Sequence, residues 1–245
     1  MSTCILIPAR LKSKRIFNKP LYKINNETIL NLTIKKCLKV YDHKNIFVIT
    51  DSSLVRKSCL NLVQNVLTFK KKFLNGTERC SYAVDFINKK FDKFIIISCD
   101  MPYFYPKTIN FLEKKFRENY IKKKNTIITI HKKTKSKKDL NNKNIVKIAV
   151  TKNNNILYFS RAKIPSNYKK VSPEIFCTHH GIVMLDRYTL SKYKSLKTSL
   201  LQLSEDNEWI KFLENDFKIK SYKFNKIAPE INTLKDIKKL TKFYK

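Results

Sequence analysis

Basic side chains gather directly after the first strand-like run of the chain. The apolar run at 4–7 is followed by Arg10, Arg15 and Lys19. Guanidinium forks suit phosphate oxygens, and a lysine supplies a compact positive charge. The segment has no glycine, so it is not a P-loop, and side chains must do more of the phosphate binding than backbone N–H groups. The alternative is a solvated basic loop, because lysine is frequent throughout this chain.

An acid follows a second apolar run, at 94–98. Asp100 lies just beyond this run and precedes Met101 and Pro102. A carboxylate that faces a polyphosphate is a natural Mg²⁺ ligand, because this ion prefers oxygen and usually binds through one or two carboxylates plus phosphates. The alternative is an aspartate that caps or turns the chain.

The third candidate is the segment Asn-Gly-Thr-Glu-Arg-Cys at 75–80. Gly76 is one of only two glycines in the chain, and it allows close approach to the backbone just before a predicted helix. Thr77 can cap that helix, and N–H groups exposed there can meet a phosphate or a base edge. The alternative is an ordinary capped helix entry.

Strand-like and helical segments alternate through the first half of the chain. β-branched and aromatic residues predict strands at Cys4–Pro8, Asn45–Thr50, Asn65–Phe69 and Phe94–Ser98. Apolar periodicity predicts helices at Thr28–Val40, Leu54–Leu62, Thr77–Lys90 and Lys107–Tyr120. This alternation indicates a buried parallel sheet. Ligands of such sheets bind beyond the carboxyl ends of the strands, where the basic loop, Asp51 and Asp100 are found.

The second half of the chain predicts more strands. A hairpin is expected to turn at Asn153–Asn155, with further strands at 176–185 and 217–224. Helices are predicted near Leu200–Glu214 and at Thr233–Phe243, and the polar stretch at 131–144 is interpreted as a mobile loop. No linker rich in Pro, Gly or Ser divides the chain, so we expect a single domain over 1–245.

Composition narrows the class of protein. The net charge is +33, but the lysines are spread throughout, whereas a nucleic-acid site would be local, so no specific nucleic-acid partner is expected. No run of about 18 apolar residues predicts a membrane span. The chain shows no signal peptide, and we therefore expect a cytoplasmic protein. The six cysteines are scattered without a Cys-x-x-Cys pair, which favours buried free thiols over disulfides or zinc ligands.

Together these motifs resemble the 3-deoxy-D-manno-octulosonate (Kdo) cytidylyltransferases. The opening string Pro8-Ala9-Arg10, Ser13, Arg15 and Lys19-Pro20-Leu21 resembles the first loop of that family. Its further motifs recur in order at Thr50-Asp51, Gly76–Arg79, Asp100–Pro102, His179–Ile182, Leu213–Lys220 and Asn232–Ile237. The string Tyr-Phe-Ser-Arg-Ala-Lys-Ile-Pro at Tyr158–Pro165 is the most specific and favours Kdo over sialic acid. The resemblance spans nearly the whole chain.

The resemblance implies a fold and a reaction. The fold would be α/β and Rossmann-like, with a mostly parallel central sheet, helices on both faces, and a small β-hairpin extension around 145–185 that makes a homodimer. The reaction would join CTP and Kdo to give CMP-Kdo and pyrophosphate for lipopolysaccharide synthesis, with Mg²⁺ as cofactor.

The resemblance also implies roles for individual residues. CTP would be bound by Ala9, Arg10, Arg15, Lys19, Asn75, Gly76, Thr77 and Arg79. The sugar would be bound by Arg161, His179, Glu205 and Glu208, the last two on one helical face. Mg²⁺ would be bound by Asp100 and Asn232. The catalytic residues would be Arg10, Arg15, Lys19 and Asp100.

The chain departs from the family pattern at several positions. Asn232 stands where the family has its second Mg²⁺-binding aspartate, and a neutral amide offers one oxygen without charge. Phe17 and Asn18 replace a Pro-Gly pair of the first loop. One alternative is a diverged homologue with weak or lost activity, or with another sugar acid such as amino-Kdo or sialic acid. Another is a basic protein that binds RNA through 132–144. Retention of the cations and of Asp100 favours the enzyme.

Overall fold

The protein is described from a computed structural model that covers residues 2–12, 16–121, 125–226 and 230–243. Arg15, a predicted CTP-binding and catalytic residue, lies outside these ranges. The chain forms two compact units: the first unit comprises 1–110 and 228–245, and the second unit comprises 111–227. The single-domain organisation stays a prediction.

Strands and helices alternate in the first unit, as the sequence predicts. Its elements up to residue 119 are β1 (Ser2–Ala9), β2 (Lys23–Ile24), β3 (Glu27–Thr28), α1 (Ile29–Cys37), β4 (Ile46–Thr50), α2 (Ser53–Cys59), β5 (Val66–Thr68), α3 (Gly76–Ala83), β6 (Phe91–Ile97) and α4 (Lys107–Asn119), which runs on into the second unit. Four of the strands pair in parallel in the order β6-β1-β4-β5. Their residues are mostly buried, as expected for strands covered on both faces.

The second unit contains a mixed part of the sheet. Its elements are β7 (Ile127–Lys133), α5 (Lys137–Asn141), β8 (Lys147–Val150), β9 (Ile156–Ser160), β10 (Cys177–Asp186), α6 (Arg187–Lys192), α7 (Leu200–Glu205), α8 (Ile210–Leu213) and β11 (Ile219–Lys223). β7 pairs antiparallel with β10 and parallel with β11. β8 and β9 form the predicted hairpin, which turns at Asn154 with φ 63°. The chain then ends in α9 (Leu234–Phe243), which belongs to the first unit.

Three predicted boundaries were wrong. The stretch 131–144 is not a loop, because β7 continues to Lys133 and Ser136 caps α5 by accepting the Asp139 N–H at 3.1 Å. The helix expected at Thr77–Lys90 ends at Ala83 and tightens into a 3₁₀ turn, a common way of satisfying the last carbonyls. The helix expected near Leu200–Glu214 is two helices, because Asp206 takes a left-handed conformation with φ 44°.

Asparagine takes the left-handed positions that glycine usually fills. Among the residues that the structure describes, nine other than glycine have positive φ and six of these are asparagine, whereas neither glycine has positive φ. Asparagine tolerates this region because its short polar side chain bonds locally. Asn18, with φ 46°, precedes the 3₁₀ turn Lys19–Leu21, so an asparagine supplies the left-handed residue of this loop.

The predicted fold class is confirmed: the protein is α/β, with a mostly parallel central sheet flanked by helices. All six cysteines are buried and free, also as predicted. The hairpin is present, but its role in dimerisation stays a prediction. Within the part of the chain that the structure describes, no helix has the length and apolar character needed to cross a membrane.

Candidate functional site

The carboxyl ends of three parallel strands bring the predicted residues of the first unit to one edge of the sheet. Ala9 at the end of β1 is the register partner of Thr50 at the end of β4, and β1 also pairs in parallel with β6. Arg10, Asp51 and Asp100 follow the ends of these strands. Arg10 is exposed, whereas Ala9 is fully buried.

Lys19 and Asp100 form an ion pair at this edge. The Lys19 Nζ donates to the Asp100 Oδ2, and the two side chains are only 9% and 16% exposed. The turn after Asn18 delivers the lysine, and the Thr33 hydroxyl holds the end of β6 by donating to the Cys99 carbonyl at 3.0 Å. A nearly buried ammonium and carboxylate therefore neutralise each other.

The ion pair shifts the pKa of Asp100 itself and contributes to the pKa shift of the neighbouring Cys99. Burial by itself raises the pKa of Asp100, but the Lys19 charge and hydrogen bonds to the carboxylate outweigh it, so the pKa lies below its ordinary value. Burial and the Asp100 charge raise the pKa of the Cys99 thiol to about 12, while Lys19 and Arg10 act in the opposite direction. The positive charge of Arg10 therefore acts on groups just beyond the end of β6, where Asp100 lies.

The C-terminal segment of the first unit returns to Asp100. The Ile231 N–H donates to the Asp100 carbonyl at 3.0 Å, which places Asn232 one residue from this contact. Ile231 is buried in a small core cluster. The next acid, Asp236, accepts from the backbone N–H groups of Asn232 and Thr233 at 3.0 and 2.7 Å and thereby caps α9.

Asp100 has one oxygen with the character of a metal ligand. Among the described residues nothing hydrogen-bonds to its buried Oδ1, and a buried carboxylate oxygen is the donor that Mg²⁺ prefers. No cluster of three or more His, Cys, Asp or Glu side chains suited to a metal occurs within the described ranges. A single buried carboxylate oxygen of this kind would suit an ion that takes few protein ligands and completes its shell with phosphate and water.

Asp51 connects the basic loop to α3. Its Oδ1 accepts the Leu11 N–H at 2.9 Å, and its Oδ2 lies 3.2 Å from the Arg79 Nη2. The Arg79 side chain is buried, and its guanidinium lies 5.1 Å from the Phe73 ring centroid. Asp51 thus fixes the backbone just after Arg10. Its position at a strand end is the sequence signal that identified it.

The start of α3 is capped by a different residue from the one predicted. The Asn75 side chain accepts the Glu78 N–H at 2.8 Å, so Asn75, and not Thr77, is the N-cap. The Glu78 carboxylate in turn accepts the Leu74 N–H at 2.6 Å. Thr77 is buried within the helix and Gly76 is its first residue, so the cap occupies the position that best satisfies the early N–H groups. The roles of these residues towards CTP stay predictions.

In the second unit, Arg161 and Glu205 bind each other. The Arg161 N–H donates to the Glu205 carboxylate at 2.6 Å, and its Nε donates to the Glu205 carbonyl at 2.8 Å. The guanidinium also donates to the carbonyls of Lys143 and Asp206 at 2.9 and 3.0 Å, and the Ser160 hydroxyl donates to Glu205 at 2.7 Å. Much of the polar capacity of this pair is therefore used within the protein, and the proposed sugar contact stays a prediction.

Lys147 was not identified as important from the sequence. It is fully buried in β8, and its ammonium donates to the carbonyls of Asn142, Ile145 and Arg161. Burial and the Arg161 charge lower the pKa of Lys147, while Glu205 opposes this shift. A lysine inside an otherwise apolar strand was the only sequence signal.

His179 lies on β10 and is neutral at physiological pH. Its Nε2 lies 3.0 Å from the Thr129 hydroxyl, and its ring meets Phe159 edge-on at 5.1 Å. The residue is half-buried. Burial, His180 and His131 lower its pKa to about 3. Any contact of His179 with a sugar would therefore be a neutral hydrogen bond.

The expectation that Glu205 and Glu208 share one helical face is wrong. Glu205 is the last residue of α7, Asp206 breaks the helix, and Glu208 lies before α8. The Glu208 carbonyl accepts from the Tyr193 hydroxyl at 3.2 Å. Helical spacing therefore does not relate the two carboxylates, and neither sugar role is tested.

Comparison with known proteins gives a consistent result. A family model described as cytidylyltransferase matches residues 4–232. The chain is 31% identical to the mitochondrial 3-deoxy-manno-octulosonate cytidylyltransferase of Arabidopsis thaliana, over 96% of this chain and 80% of that protein. It is 28% identical to the 3-deoxy-manno-octulosonate cytidylyltransferase of Fusobacterium nucleatum, over 98% of this chain and 96% of that protein.

Solved structures show the same fold. A CMP:2-keto-3-deoxy-manno-octonic acid synthetase complexed with CTP superposes with a TM-score of 0.88 and 22% identity, covering 100% of this chain and 98% of the other. A putative glucose-1-phosphate thymidylyltransferase from Bacillus anthracis gives a TM-score of 0.69 and 15% identity, covering 99% and 95%. The chain thus shares its fold with both of these proteins.

Proposed function

Because this chain belongs to the cytidylyltransferase family, among the Kdo cytidylyltransferases, we propose that it transfers CMP from CTP to the anomeric hydroxyl of Kdo. The sugar hydroxyl attacks the α-phosphorus of CTP, the bond to the β-phosphate oxygen breaks, and pyrophosphate leaves. The hydroxyl proton is released to solvent. The observation that carries this proposal is the Lys19–Asp100 pair at the edge of the sheet where ligands of such folds bind.

The residues of the first unit would act through charge and position. Lys19, Arg10 and Arg15 stabilise the negative charge that develops on the departing pyrophosphate. Asp51 holds the Leu11 backbone and Arg79, so the loop that carries Arg10 is fixed before the substrate arrives. Such preorganisation lowers the barrier because the donors need not reorganise during the reaction.

The proposed cofactor is Mg²⁺, held by Asp100 and Asn232. When bound, it supplies charge stabilisation to the triphosphate oxygens. The buried Oδ1 of Asp100, which has no hydrogen-bond partner among the described residues, supports this assignment. The Ile231–Asp100 backbone contact supports the participation of Asn232. Arg161, His179 and Glu205, in the second unit, remain the proposed sugar ligands.

We also propose a cytoplasmic homodimer that supplies lipopolysaccharide synthesis. The β8–β9 hairpin and the segment that follows it expose large apolar side chains, at Leu157, Tyr168 and Val171. Exposed apolar side chains occur elsewhere on the chain as well, and those of this segment would form an interface if they are contiguous on the surface. Sedimentation of the wild type and of Leu157→Glu tests this proposal. It is contradicted if both proteins sediment as monomers, or if both sediment as dimers.

The test of the reaction is pyrophosphate release by the purified protein. We expect release with CTP, Kdo and Mg²⁺ together, and none when any of the three is omitted. UTP in place of CTP, and sialic acid in place of Kdo, should be poor substrates. Release with sialic acid alone would replace the sugar assignment. RNA binding that weakens with salt, without any release, would favour the basic RNA-binding alternative.

A further inference from the structure

We propose that Lys19 neutralises the Asp100 carboxylate in the nucleotide-free protein, so that the metal site forms only when a triphosphate is present. This inference rests on the proposed function and adds an order of assembly to it. Lys19 would serve as an internal counter-ion that is exchanged for the divalent cation together with its nucleotide.

The first argument is the charge balance of the pair. Lys19 and Asp100 are in direct contact and almost buried, so their charges cancel locally. A divalent cation that approached the Asp100 Oδ1 would meet the ammonium held on the other carboxylate oxygen. Repulsion between cations is strong at such short range, because little water screens them.

The second argument is the neutral residue at 232. The Ile231 N–H is bonded to the Asp100 carbonyl, so this residue follows directly on the contact. An aspartate at 232 would add a negative charge on this side of Ile231, whereas Asn232 adds none; the acid on the other side, Glu230, is separated from it by Ile231. The next acid, Asp236, is engaged at the start of α9 by three donors from Asn232 and Thr233.

The third argument is what a triphosphate changes. Its negative charge offers Lys19 an alternative partner and also offers a metal additional oxygen ligands. Both effects favour a change of partner, in which the Asp100 carboxylate leaves the Lys19 ammonium and binds the metal. Metal and nucleotide would therefore bind cooperatively, each raising the affinity for the other.

Mn²⁺ binding to the nucleotide-free protein tests this proposal without any catalytic readout. Free Mn²⁺ is counted by electron paramagnetic resonance. Wild-type protein is expected to bind it with a dissociation constant above about 1 mM. Lys19→Met is expected to bind at least about tenfold more tightly, because the ammonium no longer repels the cation.

The matched control is Lys35→Met. Lys35 pairs with Glu27 at 2.7 Å, but both side chains are well exposed, at 48% and 38%. This variant removes the same charge from the same unit and should bind Mn²⁺ like the wild type. If the Mn²⁺ affinity of Lys35→Met rises as much as that of Lys19→Met, the effect is due to net charge and the proposal is overturned.

Asn232→Asp keeps the experiment decisive if Lys19→Met does not fold. This variant retains Lys19 and adds one negative charge, so its affinity for Mn²⁺ should also rise about tenfold or more. Micromolar binding by nucleotide-free wild type, or no gain in a folded variant, overturns the inference. Neither result bears on pyrophosphate release, which is measured separately, so failure of this inference is distinguishable from failure of the proposed reaction.

Discussion

Replacing Asp100 with alanine is the most informative perturbation of this molecule. The carboxylate pairs with a buried ammonium, and its other oxygen has no partner among the described residues. Asp100→Ala therefore removes a proposed metal ligand and at the same time strands a positive charge. Activity and stability should both fall, for separate physical reasons.

The stability loss follows from the burial of the pair. Breaking a buried ion pair by removing one partner costs about 3–5 kcal/mol, because the remaining charge is left uncompensated. The Lys19 side chain is 9% exposed and so regains little water. We expect the free energy of unfolding to fall by about 3 kcal/mol. The double variant Lys19→Met/Asp100→Leu should lose less, because no charge remains buried.

Urea denaturation followed by circular dichroism measures the loss. Glu27→Ala is the matched control, since it breaks an exposed pair with Lys35 that should contribute about 0–1 kcal/mol. Pyrophosphate release should fall at least about 100-fold in Asp100→Ala. A loss of stability no larger than that of the control would refute the buried pair, and wild-type release would refute the metal role.

Acid should act on the same pair. The pKa of Asp100 is lowered in the folded protein, so the unfolded chain takes up the proton first as the pH falls. The stabilisation is complete above the unfolded value of about 3.9 and is lost as the pH falls through the folded pKa. The difference in unfolding free energy between wild type and the double variant should therefore shrink below about pH 4.

Three further perturbations test other parts of the structure. Because burial lowers the pKa of His131 to about 4 and that of His179 to about 3, the unfolding free energy should fall by up to about 1.4 kcal/mol per pH unit for each histidine as the pH drops below 6.5. Equal urea midpoints at pH 7 and 4.5 would contradict this. Lys147→Met should lower the unfolding free energy by about 2–4 kcal/mol, because three carbonyls around a fully buried lysine lose a charged donor. The exposed Lys152→Met is the control, and equal losses in urea would show that Lys147 is not held as described. Arg15→Ala should raise the KM for CTP or lower kcat about tenfold if the loop binds phosphate; unchanged kinetics would indicate a solvated loop.

The sequence by itself predicted the framework of the first unit. Continuous apolar runs identified β1, β4 and β6, because a strand buried on both faces needs no polar alternation. Parallel pairing then places the ends of these strands on one edge, which is why Arg10 and Asp100 could be identified as neighbours. Local chemistry also predicted the hairpin turn near Asn154.

Local pattern was not enough where distant segments compete for the same groups. The sequence predicts one helix across Asp206, whereas the helix ends there and the Asp206 carbonyl accepts from Arg161, 45 residues away in the chain. Lys147 is an ordinary lysine by composition, yet its ammonium reaches the Arg161 carbonyl on the far side of the hairpin as well as the nearby carbonyls of Asn142 and Ile145. Residues that satisfy one another across such separations leave no periodic signal in the sequence.

The sequence thus determined which strands form and which side chains stand at their ends, because both follow from the apolar pattern along the chain. Only the tertiary structure decided which of those side chains meet. The pairing of Lys19 with Asp100 depends on a left-handed turn at Asn18 and on burial of both groups in the folded chain. Burial converts a weak surface attraction into an interaction strong enough to control what the site can bind.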